Sequence, residues 1–70
     1  MTFSDQMKNH VGGLIKIHPP TMSEWPKIAL VKHVYFTSKA DDDCFCILCI
    51  LVDGEILDRL GFYKSDFEFL

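Results

Sequence analysis

Three cysteines within six positions, Cys44, Cys46 and Cys49, are the densest group of chemically capable side chains in this 70-residue sequence. On a loop, Cys-x-Cys-x-x-Cys would suit a zinc or iron–sulfur site. The surrounding run CFCILCILV carries no charge and reads as a strand, on which Cys44 and Cys46 point one way and Cys49 the other. Thiols divided in this way do not meet at one metal, so cysteine serving as a small buried hydrophobe is the better account. His10, His18 and His33 fall on three separate segments, and no spacing brings them together. A Cys–His nucleophilic pair needs an exposed thiol in a pocket with a histidine against it, and a domain this small has little room for one. Asp41-Asp42-Asp43 has no glycine nearby to bend a cation loop and reads as a solvated turn. The residues therefore predict no enzyme, no metal site and no cofactor.

Surfaces for binding are the stronger candidates. Trp25 stands between Glu24 and Pro26, and Tyr35 and Tyr63 would flank it in a groove suited to a proline-rich, basic ligand. The competing role for Trp25 is to cover the open end of the fold. A second candidate is one face of a hairpin, Leu48, Ile50 and Leu57, with Cys46 and Val52 at its edges. Left open, this patch exceeds what a monomer normally exposes. An N-terminal segment bearing Phe3 and Met7 is the alternative cover.

The hairpin is the element that must position these residues. Asp53-Gly54 between two strand-forming runs predicts a type I′ turn, which needs positive φ at both central positions. Counting outward pairs Val52 with Glu55, Ile50 with Leu57, Leu48 with Arg59 and Cys46 with Gly61 on one face. The other face carries Leu51 with Ile56, Cys49 with Asp58, Ile47 with Leu60 and Phe45 with Phe62. That second face is apolar except for Asp58 and is predicted to be the core. Asp58 is the misfit, and a β-bulge beside it would turn the carboxylate outward.

The other segments follow from local signals. Residues 1–10 have weak helical character with Ser4 as the candidate N-cap. Residues 14–18 read as a first strand stopped by Pro19-Pro20, and residues 21–26, TMSEWP, as an extended loop. Residues 27–36 form a long second strand, with Ile28, Leu30, Lys32, Val34 and Phe36 on one face and Ala29, Val31, His33 and Tyr35 on the other. Apolar on both sides, such a strand bends and serves two sheets. Residues 63–66 make a single turn before a short closing strand.

Composition narrows the classes further. Seventy residues make one domain near the lower limit for a self-sufficient core, so nearly every large apolar side chain must contribute. A net charge of −3, pI about 5.4 and scattered lysines argue against a phosphate-binding surface. An odd number of cysteines on one strand fits a reducing, cytoplasmic setting. No secretory leader and no apolar stretch of membrane-spanning length are visible.

Five short strands, one long loop after the first, a tight hairpin and a single turn before the last predict an all-β fold, a five-stranded antiparallel barrel. It would span residues 13–70 and follow an arm or helical turn at 1–12. The pattern resembles the small SH3-like, KOW/Tudor-like barrels of tailed bacteriophages. The resemblance rests on Val11, Gly12, Leu14 and Ile15; on Ile28, Ala29 and Val31; on Leu51, Asp53 and Gly54; and on Ser65, Asp66, Phe67 and Glu68. Ala29 stands where glycine is usual and Leu51 where tryptophan is usual. It implies a non-enzymatic protein-interaction module: a phage accessory or virion-associated protein, or an adaptor or inhibitor acting on a host protein. The partner would be that protein or a second copy, met in the host cytoplasm or the virion. The alternative is a nucleic-acid or modified-peptide binding module of the KOW/Tudor kind.

Overall fold

The computed structural model describes residues 2–38 and 44–70. Asp41-Asp42-Asp43 lies outside them. One short helix, α1 (Phe3–Asn9), precedes strands β1 (Leu14–Ile17), β2 (Lys27–Thr37), β3 (Phe45–Val52), β4 (Glu55–Tyr63) and β5 (Phe67–Phe69). A single 3₁₀ turn over Lys64–Asp66 joins β4 to β5. All ladders are antiparallel, and the sheet order is β4-β3-β2-β1-β5. The all-β expectation holds, but the barrel is not closed. The outer strands β4 and β5 approach through the rings of Phe62 and Phe67, 6.1 Å apart, rather than through a ladder.

The hairpin turn forms as its sequence requires, with Asp53 at φ 53° and Gly54 at φ 79°. Pairing then follows Val52 with Glu55, Leu51 with Ile56 and Ile50 with Leu57, until a bulge sets Cys49 against Asp58 and Arg59. Arg59 takes φ 56° to absorb the extra residue. Beyond the bulge the register is one residue off the simple count: Leu48 faces Leu60, Cys46 faces Phe62 and Phe45 faces Tyr63. This slip decides the packing. Leu57 and Leu60, three apart, reach the same face only because one residue is looped out between them. Gly61 then leaves room for the Phe45 ring, whose Cζ would lie 2.7 Å from a Cβ there.

The strand β2 pairs with β1 through its first half and with β3 from Leu30 onward, and both ladders belong to one sheet, not the two that its length and two apolar faces predict. Its ladder with β3 has irregularities at Lys32 and Tyr35. These place Ala29, Val31 and Val34 inside, and His33 and Phe36 outside, replacing the strict alternation expected for this strand.

The core is the face formed by Cys46, Leu48, Ile50 and Val52 with Ile15, Ile17, Ala29, Val31, Phe62 and Phe67. Leu51 and Ile56 lie on the other side, so the hairpin faces are exchanged relative to the expectation along β3 and on β4 up to the bulge, whereas Leu60 and Phe62 beyond it lie on the core side as expected. The segment read as an arm belongs to this core. Phe3 and Met7 are buried in it, and the Phe3 ring meets Phe67 at 6.3 Å and Phe69 at 6.5 Å. The cap of α1 is Thr2, whose hydroxyl accepts from Asp5 N–H at 3.2 Å, not Ser4. Ser4 is buried and accepts a hydrogen bond from the Thr37 hydroxyl at 2.7 Å, tying the helix to the end of β2.

Candidate functional site

The bulges aim a group of polar side chains at the outer face. His33 on β2 stands opposite Cys49 on β3, and the bulge residues Tyr35, Asp58 and Arg59 gather around them. The Tyr35 hydroxyl donates to Asp58 Oδ1 at 2.5 Å, the Arg59 guanidinium lies 5.4 Å over the Tyr35 ring, and His33 meets that ring edge-on at 4.7 Å. Accepting the Tyr35 proton holds the Asp58 carboxyl below its ordinary value, and the same bond raises the phenol. Desolvation and the neighbouring Asp58 raise the Cys49 thiol. The cluster therefore retains its protons at Tyr35 and Cys49 and offers no ready thiolate or phenolate nucleophile. Asp58 points outward beside a bulge, as its place in the strand predicts. The Tyr35–Asp58 pairing has no sequence signal, because it depends on a bulge in each of the two strands.

The cysteines divide by face. Cys44 and Cys46 are buried and Cys49 lies outward, and none of the three forms a disulfide among the described residues. Burial pushes Cys46 up to about 12, and its thiol donates to Phe62 O at 3.5 Å. Among the described residues, no three His, Cys, Asp or Glu side chains group as metal ligands. His10 has a structural task. Its Nε2 lies 2.6 Å from Leu14 O, which can only accept, so that nitrogen carries the proton, and its ring abuts Phe69 at 4.8 Å.

The candidate partner-binding residues separate into three fates. Leu48 and Ile50 are fully buried at 0% exposure, so they are core and leave the candidate surface. Phe3 and Met7 join the same core cluster, the cover weighed as the alternative. Leu57 is half-buried at the seam where the sheet fails to close. There it lines an apolar slot of about 300 Å³ with Thr21, Met22, Leu60, Gly61 and Phe62. Trp25, Tyr35 and Tyr63 are exposed but do not form one groove. Tyr35 engages His33 and Arg59, Tyr63 packs on Phe45 at 5.2 Å, and Trp25 projects from its loop at 75% exposure. Trp25 thus does not cover the open end, whereas Met22 in the same loop packs against the core.

An open surface instead includes Leu51 and Ile56, from the hairpin face predicted to be core. Ile56, Leu51, Leu30 and Leu14 are successive cross-strand partners from β4 to β1, and Leu70 N–H donates to Leu14 O at 3.1 Å at the far edge. Ile56, Leu14 and Leu70 are exposed, as is Ile28, two residues from Leu30 on the same strand. This aliphatic row crosses the outer face, with the Tyr35–Asp58 cluster on one side and the Lys16–Glu68 pair on the other. Among the described residues, no helix is long and apolar enough to cross a membrane. No protein-family model matches this chain, and no curated protein or solved structure matches it.

Proposed function

We propose that this domain is a non-enzymatic protein–protein interaction module and that its outer sheet face is the contact surface. The observation that carries the reading is the aliphatic row Ile56–Leu51–Leu30–Leu14–Leu70, whose ends are the most open to water. Contiguous exposed apolar surface on a small soluble domain marks an interaction site more often than not. Desolvating such a row supplies affinity, while the Asp58, Arg59, Lys16 and Glu68 rim supplies register. The SH3-like resemblance is supported by the strand order, with β5 beside β1, and by the single 3₁₀ turn before the last strand. A small phage accessory or virion-associated protein, or an adaptor or inhibitor of a host protein, fits that resemblance. Three cysteines outside any disulfide among the described residues suit a reducing compartment such as the cytoplasm.

Site-specific photo-cross-linking tests the surface. With a photoreactive residue replacing Ile56, and a control at exposed Ser65, one partner band from an extract of the producing cells is expected from position 56 alone. Leu14→Asp should remove it. Equal labelling from both positions, or none from position 56, would overturn the reading.

A further inference from the structure

The charges around the aliphatic row are unevenly matched. On one side Lys16 stands opposite Glu68 across the β1–β5 ladder, and the two offset each other. On the other side Lys32, in the β2 bulge, and Arg59, in the β4 bulge, are both exposed and stand beside one carboxylate, Asp58. Lys32 is near enough to offset part of the rise at the Cys49 thiol, which lies on β3 between those two strands. Asp58 is already engaged, since it accepts the Tyr35 proton at 2.5 Å. This corner therefore holds a surplus of positive charge on a chain whose net charge is −3. Arg59 also sits there under strain. Its φ of 56° is a left-handed conformation that glycine or asparagine takes more easily, and such strain persists where a particular side chain is needed. The side chain starts on β4 and its guanidinium lies 5.4 Å over the ring of Tyr35 on β2, so it crosses β3 on the outer face. Stacking occupies one face of the guanidinium plane and leaves N–H groups along its edge for a planar acceptor. Ile56, three residues earlier on the same strand, begins the aliphatic row.

We infer that the protein segment docking on the outer face brings an aspartate or glutamate side chain to Arg59 and Lys32 while its apolar side chains cover the row. The inference deepens the outer-face reading and rests on it. A carboxylate matches the fork of the guanidinium edge. Asp58 stays beside that edge, so a singly charged carboxylate is accommodated where a doubly charged phosphate is repelled. The ligand is thus acidic and apolar, opposite in charge to the basic one that an aromatic groove at Trp25, Tyr35 and Tyr63 would call for.

The full chain serves as bait for a yeast-displayed library of short random peptides, a probe that needs no native partner. Enriched peptides should combine aliphatic residues with an aspartate or glutamate. The tightest of them, made synthetically, should lose at least tenfold in affinity when that acid is replaced by its amide, a change that leaves the protein untouched. Arg59→Gly and Arg59→Asn both suit the left-handed backbone and should unfold within a few degrees of the parent. Each should nevertheless weaken the acidic peptide at least tenfold and leave the amide peptide as it was, so that the two losses are coupled. No enriched peptide, peptides without an acid, an affinity that neither Arg59 variant alters, or tighter binding of a phosphoserine version would overturn the inference. Ile56→Asp separates the two readings. If it releases peptides that carry no acid, the outer-face contact stands and only the carboxylate assignment falls; if every peptide still binds, the outer-face reading falls with it.

Discussion

Along β3, Cys46, Leu48, Ile50 and Val52 are buried, whereas Phe45, Ile47, Cys49 and Leu51 on the other side keep part of their surface in water. Both sets are wholly apolar, so nothing within the strand ranks them. What ranks them is the company on neighbouring strands. The inner set meets Val31, Val34, Leu57, Leu60 and Phe62 and is closed over by Phe3 and Met7. In the outer set Cys49 meets His33, Asp58 and Arg59, which stay hydrated, while Leu51 meets only Leu30 and Ile56, with nothing among the described residues packed over them. Core identity is thus a property of the sheet, decided where polar residues collect, and the bulges collect them on one side.

The sharpest way to break this comparison is to place a charge on each face in turn. Ile50→Asp puts an unpaired carboxylate in the core at a cost of about 5 kcal/mol or more, enough to abolish a marginal fold, and circular dichroism should show an unfolded chain. Leu48→Ala leaves a cavity and should lower stability by about 2–5 kcal/mol in denaturant titration. A native-like Ile50→Asp protein would mean that the inner face is not the core.

Alkaline pH probes the same face more gently. The Cys46 thiol titrates near 9.0 when exposed and about 12 in the fold. Between those values the unfolded chain releases its proton and the folded chain keeps it. Stability should therefore fall as pH rises from about 9 toward 12. Tyr35 is raised as well and acts in the same direction, so Cys46→Val should flatten only part of the slope. An unchanged slope in that variant would assign the effect elsewhere.

On the outer face the expected effects are small. Ile56→Asp should change stability by no more than about 0.5 kcal/mol while weakening partner capture, a dissociation that Ile50→Asp cannot show. Smallest is Tyr35→Phe, which removes the proton that Asp58 accepts; its carboxyl should titrate closer to the ordinary range in an NMR pH series. Because Asp58 is depressed in the fold, its contribution is present above the unfolded value of 3.8 and is lost as pH falls through the folded one. Tyr35→Phe should narrow that acid window.

Local chemistry was legible where one residue type has few options. Asp53-Gly54 specified the turn, Pro19-Pro20 ended β1, the β-branched run announced β2, and Asp58 announced a bulge. The candidate site was legible only in outline. An exposed apolar surface was expected on the hairpin, but it lies on the opposite face, and Trp25, Tyr35 and Tyr63 were grouped although each has separate surroundings.

By itself, then, the sequence determined the strands, the turn, the division of the cysteines between two faces and the all-β class, because these follow from backbone preference and side-chain period over a few residues. Only the tertiary structure decided which face is the core, where β4 slips by one residue, and that the sheet stays open beside Thr21 and Met22. These depend on how Leu57 and Leu60 are brought to one side by Arg59 and on where Phe3 and Met7 dock, and such long-range contacts leave no mark in the local pattern.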